Sequence, residues 1–241
     1  MKKNNIYNLL LLLGGKSSRF GGDVNKVYCL INNKPVFLYS LEKFLKFKEI
    51  TKIIIVYNPQ DLDKLNEYLS PFKKYEFDLV EGGEERFISV INGLKHLSDD
   101  CTKVIVHDGA RPNIDIDTIR RAIDDSKIYS SLSVGVKVTD TIKKVDDNIC
   151  ETIDRNNLYY MQTPQITDKE LLIDVLNKVK KEDNITDDLM AIEKYSDVIP
   201  HITIGSSSNI KLTKKEDLDY LSYLLTKKGW LYENWSFKRY S

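Results

Sequence analysis

Cysteine is scarce in this 241-residue chain. Cys29, Cys101 and Cys150 are odd in number, far apart and without a C-x-x-C pair, which excludes a disulfide framework or a zinc cluster and fits a reducing cytoplasm. Histidine is equally scarce, and His96, His107 and His201 lack metal-ligand spacing. Net charge is missing altogether: 36 Lys and Arg balance 36 Asp and Glu. Nothing therefore marks a nucleic-acid polymer as partner, and any basic site must be local. Long apolar runs are missing too. No segment approaches the roughly 18 apolar residues of a membrane span. The leucines after MKKNNIYN give way to glycine and charge rather than to a small-residue cleavage site, so no signal peptide is expected. Repeats, linkers and low-complexity stretches are not found. The chain is expected to be a soluble, cytoplasmic protein with one α/β domain over residues 1–241, long enough to bury a substantial core.

Against these absences one stretch stands out, residues 9–26, LLLLLGGKSSRFGGDVNK. Five consecutive leucines cannot alternate inward and outward, so they suit a strand covered on both faces, as in a parallel sheet between helices. Gly14-Gly15 ends the strand, and the following loop carries Arg19 and Lys26. Glycines let backbone N–H groups approach phosphate oxygens, and the two cations neutralise charge, so the loop suits a polyphosphate; an ordinary strand-to-helix turn with solvated charges is the plainer alternative. Two known nucleotide loops are excluded. A P-loop needs glycine where Leu10 stands, and the dinucleotide fingerprint needs glycine where Ser17 stands.

Further along, Pro35 opens a helical pattern with Phe37, Leu41, Phe44 and Leu45 on one face, the proline sitting in the first turn. Strand candidates follow at residues 52–57, 77–81 and 103–107, alternating with helical patterns at 59–69 and 85–97. That alternation points to βαβ units with right-handed crossovers. In such sheets ligands bind beyond the carboxyl ends of the strands, where Gly14, Gly83 and Asp108 would emerge. Asp108, in VHDGARP, could hold a divalent metal, position a polar substrate or cap the next turn, and Arg111 could pair with it. Residues 131–138 alternate as a strand leading into a polar hairpin arm at 139–160, which is marginal alone and should pack on something such as a second subunit. A helix is expected over 168–184. Asp187 and Asp188 suit the positive N-terminus of a shorter one, a structural role that competes with metal binding. A late strand follows at 201–205. Thr213 and Glu216 form a capping box for a helix with Leu218, Leu221, Leu224 and Leu225 on one face, and the aromatic tail from Gly229 is expected to pack on the body or a partner. Lys211 on the approach to that helix makes sense where an anion binds.

Taken in order, GGKSSRFG with Lys26, GGEERFISVINGL, VHDGARP, TDTIKK, DRNNLYYMQTPQ, TDD and NIKLTKKEDL resemble the 2-C-methyl-D-erythritol 4-phosphate cytidylyltransferases over residues 9–225. The resemblance implies a Rossmann-like nucleotidyltransferase fold: a mostly parallel sheet flanked by helices, with a projecting β-hairpin dimerisation arm. It implies attack of a sugar-alcohol phosphate on the α-phosphate of CTP, with Mg²⁺ as cofactor. Carried over residue by residue, Arg19, Lys26 and Lys211 are the catalytic cations. Leu13, Gly14, Gly15, Gly83, Glu84, Arg86 and Ser89 line the nucleotide. Asp108 serves metal and alcohol, while Thr141, Arg155 and Thr163 bind the methylerythritol phosphate. The arm would cross to a neighbour, so that Arg155 serves the partner's site in an obligate homodimer. Two departures are clear: Leu13-Gly14-Gly15-Lys16-Ser17 stands where the family reads Ala-Ala-Gly-x-Gly, and Asn25-Lys26-Val27-Tyr28 where it reads Pro-Lys-Gln-Phe or Pro-Lys-Gln-Tyr. Relatives acting on ribitol 5-phosphate are the alternative; Ala110, DRNNL and TDDLMAIEKY look more like the methylerythritol branch.

Overall fold

The computed structural model describes residues 5–14, 20 and 25–237, with side chains up to residue 226. The leucine run forms β1 (Tyr7–Leu12), buried throughout. Leu9, Leu11 and Leu13 enter one core cluster and Leu10 and Leu12 the other, which is why the run shows no alternation: a strand buried on both faces has no reason to be polar on either. The neighbours repeat the division. In β4 (Ile50–Tyr57) Ile53 and Ile55 face one cluster and Ile54 and Val56 the other; in β6 (Lys103–Asp108) Ile105 opposes Val104 and Val106.

β1 pairs in parallel with β4 and β6, and β4 with β5 (Phe77–Glu81). Beyond β6 the sheet continues through β10 (Tyr159–Asp168) and β7 (Ser131–Lys137) to β11 (His201–Ile204). β10 runs against both neighbours, and β11 is parallel to β7. One face is covered by α1 (Val36–Phe44), α2 (Leu62–Leu69), α4 (Ile116–Ser126) and α7 (Glu216–Phe237), the other by α3 (Arg86–Leu94), α5 (Lys169–Leu176) and α6 (Asp188–Tyr195). Each helix places its apolar stripe inward: Phe37, Leu41 and Phe44 of α1, for example, are fully buried. Among the described residues no helix is long and apolar enough to cross a membrane.

Several boundaries differ from the sequence reading, for local reasons. Pro35 is the residue before α1 rather than within its first turn. It ends β3 (Lys34–Pro35), which pairs with β2 (Leu30–Ile31) through Asn32 and Asn33, at φ 51° and 60°; consecutive asparagines tolerate that left-handed pair best after glycine. The helix expected from residue 59 is a 3₁₀ turn, Pro59–Asp61, followed by α2. The one expected over 168–184 stops at Leu176, and Asn184 takes a left-handed conformation (φ 50°) after a second 3₁₀ turn, Lys181–Asp183. At α7 the carboxylate that accepts from the Thr213 and Lys214 N–H groups, both at 2.7 Å, is Asp217, not Glu216. α7 itself runs through Gly229.

The expected arm is a two-stranded ribbon, β8 (Ile142–Asp146) and β9 (Ile149–Ile153), pairing only with each other. Its residues are largely exposed, Val145 by 71% and Ile149 by 49%.

Candidate active site

Parallel strands bring their carboxyl ends to one edge, and there β1, β5 and β6 deliver Gly14, Gly83 and Asp108 to an open cleft enclosing about 780 Å³. Leu13 and Gly14 border it, but their N–H groups already donate to Val56 O at 2.7 and 3.1 Å. Gly83 closes a tight corner: its N–H donates to Ser89 Oγ (3.0 Å), and a Cβ would lie 2.2 Å from Ile88 Cγ2. Ser89 Oγ donates in turn to Glu85 O (3.2 Å), so the corner fastens onto the first turn of α3. Glu84, Arg86, Ser89, Lys26 and Lys211 line the same cleft. Gly15 and Arg19 lie outside the described residues.

Asp108 is the centre of charge. Buried at the end of β6, it accepts from Lys211 Nζ at 2.7 Å, with Arg86 Nε 3.6 Å and Arg111 Nε 3.8 Å away. Burial alone would push its pKa up; Lys211, Arg86 and Arg111 outweigh burial and hold the carboxyl below the usual carboxylate range. The ion pair expected between Asp108 and Arg111 is therefore present, but Arg111's hydrogen bonds go elsewhere, to Asn209 O (3.0 Å) and Met161 O (3.3 Å).

Arg86 is held more firmly than its sequence suggested. Its guanidinium forks onto Asp188, at 2.7 and 3.2 Å, and also donates to Gln165 Oε1 (3.1 Å). Burial opposes its charge, but Asp188 and Asp108 more than compensate and its pKa is raised. Sequence reasoning missed Asp188 in this role, because the contact spans 102 residues; the one available signal was a second acid beside Asp187. Asp187 does cap α6, accepting from Met190 N at 2.9 Å.

The backbone of Asp108 is fixed from behind. Its N–H donates to Thr163 Oγ1 (3.1 Å), and the Thr163 hydroxyl lies 3.0 Å from His107 Nδ1, whose other nitrogen lies 3.2 Å from Arg111 O. Burial pushes His107 down to about 3, so the ring is neutral. One assignment satisfies all three contacts: Nε2–H donates to Arg111 O, and Thr163 O–H donates to Nδ1. The sequence had suggested only an isolated histidine. Thr163 sits where the β10–β7 register breaks between Met161 and Gln165.

A second pocket adjoins the first and includes Arg111, Thr163 and Asp187. Arg86, Asp108 and Lys211 line both pockets. Lys211 reaches Asp108 because its segment is pinned: Asn209 Nδ2 donates to Gln162 Oε1 and Thr163 O (3.1 and 3.0 Å), and Leu212 N to Ala110 O (2.8 Å). Thr141 and Arg155, at the base of the hairpin and exposed, line neither pocket. Among the described residues no group of three or more His, Cys, Asp or Glu side chains could hold a metal ion.

Comparison with known proteins places this arrangement. The family model for 2-C-methyl-D-erythritol 4-phosphate cytidylyltransferase matches residues 8–227. Curated relatives of that name include one from Caldanaerobacter subterraneus subsp. tengcongensis, 36% identical over 90% of this chain and 98% of its own, and one from Clostridium botulinum, 34% identical over 90% and 95%. Among solved structures, the 4-diphosphocytidyl-2C-methyl-D-erythritol synthase of Anaerococcus prevotii superposes with a TM-score of 0.83 at 26% identity, covering 93% of this chain and all of that one. The chain belongs to the 2-C-methyl-D-erythritol 4-phosphate cytidylyltransferase family.

Proposed function

We propose that the protein transfers CMP from CTP to 2-C-methyl-D-erythritol 4-phosphate, giving the CDP-alcohol and pyrophosphate for isoprenoid synthesis, and that the whole chain works as one catalytic unit in the cytoplasm. The observation that carries this reading is the wall of Arg86, Asp108 and Lys211 shared by two pockets, because a transfer between two bound substrates needs two sites meeting at one charged boundary. CTP occupies the cleft beside Gly14 and Gly83, and the alcohol phosphate the pocket beside Arg111 and Thr163. The attacking phosphate is already anionic, so the reaction needs alignment and charge neutralisation rather than a protein base. Lys26, Lys211 and Arg19 supply positive charge where it develops on the α-phosphate, and Asp108 orients the alcohol. Lys211 leaves Asp108 for the phosphate as the nucleotide enters.

Mg²⁺ fits residues of this chain through one carboxylate, Asp108, which would hold the ion together with a bound nucleotide, and the ion would there supply positive charge to the triphosphate. The arm completes the acceptor pocket of a second copy with Thr141 and Arg155, so the working form is a homodimer. Pyrophosphate release from CTP and Mg²⁺, measured in parallel with methylerythritol 4-phosphate and ribitol 5-phosphate, tests the reading. Preference for the first is expected. Preference for the second keeps the chemistry and overturns the pathway, and no release with either overturns the function.

A further inference from the structure

Lys26 opens a 3₁₀ turn, Lys26–Tyr28, that is fastened at both ends. On its apolar side Tyr28 is buried, stacked on Tyr68 at 6.2 Å and edge-on to Phe37 at 5.6 Å. On its polar side the fastening is the Asn25 amide. Asn25 Nδ2 donates to Leu13 O (2.9 Å) and to Asp61 Oδ2 (2.8 Å), while Oδ1 accepts from Val27 N (3.4 Å). One side chain thus joins the end of β1, the start of α2 and the turn that carries Lys26. Asp61 adds an independent observation. It stands at the N-cap of α2, where an aspartate normally accepts from the helix N–H groups, yet it caps none of them. Among the described residues its carboxylate is hydrogen-bonded to Asn25 alone.

We propose that Asn25 and Asp61 form a latch that positions Lys26 for the nucleotide phosphates, both acting through Lys26 and neither touching the reacting atoms. The inference rests on the reading above that Lys26 meets the triphosphate. At position 25 the resemblance places proline, which has no amide; its fixed φ matches the −64° of Asn25. The latch does with hydrogen bonds what a proline ring does by restricting the chain.

The test compares Asn25→Ala, Asp61→Ala, the double variant, Asp61→Asn and Asn25→Pro, with kcat/KM for CTP, KM for the acceptor, calorimetric CTP affinity and Tm as readouts. Loss of the latch lowers kcat/KM and affinity for CTP by about three- to tenfold, the range of one or two hydrogen bonds. It leaves the acceptor KM unmoved, and Asp61→Ala, which removes a single hydrogen bond, leaves the Tm close to the wild type. The double variant is no worse than Asn25→Ala, because Asn25→Ala already breaks the one link that Asp61 makes. Asp61→Asn keeps an acceptor for the Asn25 amide and stays near the wild type, and Asn25→Pro loses less than Asn25→Ala. Additive losses, unchanged nucleotide parameters, or losses that follow Tm in both substrates overturn the latch. Absence of turnover in the wild type overturns the function instead, and the variants' CTP affinity then decides the latch separately.

Discussion

The carboxyl end of β6 and the β8–β9 hairpin carry residues assigned to one reaction but are opposite kinds of structure. At Asp108 each charge lies against an opposite one: Lys211, Arg86 and Arg111 surround it, Asp188 pairs with Arg86, and Thr163 and His107 hold its backbone. Among the described residues the hairpin strands pair only with each other, and the exposed Arg155 meets Leu158 N through its backbone carbonyl at 3.0 Å. The first region is complete before a ligand arrives. The second, under the proposal above, is completed by a second copy of the chain. Substitutions in the first should therefore move stability, activity or both, whereas those in the second should move activity alone.

The sharpest way to break that contrast is Asp188→Ala. It leaves Arg86 buried with Gln165 as its remaining hydrogen-bond partner, and removing one member of a buried pair destabilises by about 3–5 kcal/mol, a Tm lower by roughly 6–20 °C. Thermal unfolding that matched the wild type would show the centre to be far less rigid than its contacts indicate. Lys211→Ala should act on turnover instead. Lys211 is partly exposed, and without it Asp108 keeps both arginines, so Tm should stay close to the wild type while kcat falls by about 10²- to 10³-fold, the effect of one lost transition-state donor. Near-normal pyrophosphate release would remove Lys211 from the chemistry.

How much of this was readable beforehand follows the same division. The five leucines announced a strand buried on both faces, and GGEERF and VHDGARP put Gly83 and Asp108 at strand ends and NIKLT put Lys211 before a helix, positions that the family resemblance joined in one site. The Asp188–Arg86 fork was not readable: it joins residues 102 apart, and an acid at a helix start already had a sufficient local explanation. Nor could the engagement of Thr163 with Asp108 N and His107 be seen, since a hydroxyl beside a pocket looks the same in sequence whether it faces ligand or backbone. The ribbon itself was legible as a polar hairpin following the alternating strand at 131–138. What it packs on was not, because a largely exposed ribbon carries no apolar stripe that names its neighbour.

The hairpin half of the comparison is sharpened by Arg155→Ala. Tm should not change, and KM for the acceptor should rise about ten- to hundredfold, as for a lost hydrogen bond to a charged group. Mixing this variant with Lys211→Ala decides whether the arm serves its own site or its neighbour's. If Arg155 acts across a dimer, random exchange of subunits completes about a quarter of the sites, each combining an intact Lys211 with an intact partner arm. Activity above that of either variant alone supports the exchange, whereas no recovery after verified exchange confines Arg155 to its own chain or to no site.

The smallest effect comes from His107, behind the centre. A histidine held neutral, with its pKa near 3 against about 6.5 when unfolded, binds fewer protons folded than unfolded throughout that interval. Stability must then rise with pH there; read downward, it begins to fall as pH drops through about 6.5 and continues falling until the folded value is reached. Between pH 7.5 and 5.5 the contribution is about 1 kcal/mol, a Tm shift of roughly 2–4 °C. His107→Gln keeps a donor for Arg111 O without a titrating ring, so its Tm should fall less over the same interval. Parallel curves for the two proteins would mean that the ring accepts a proton in place, and the Thr163 hydroxyl would then have to turn away from Nδ1, loosening the backbone of Asp108 in acid.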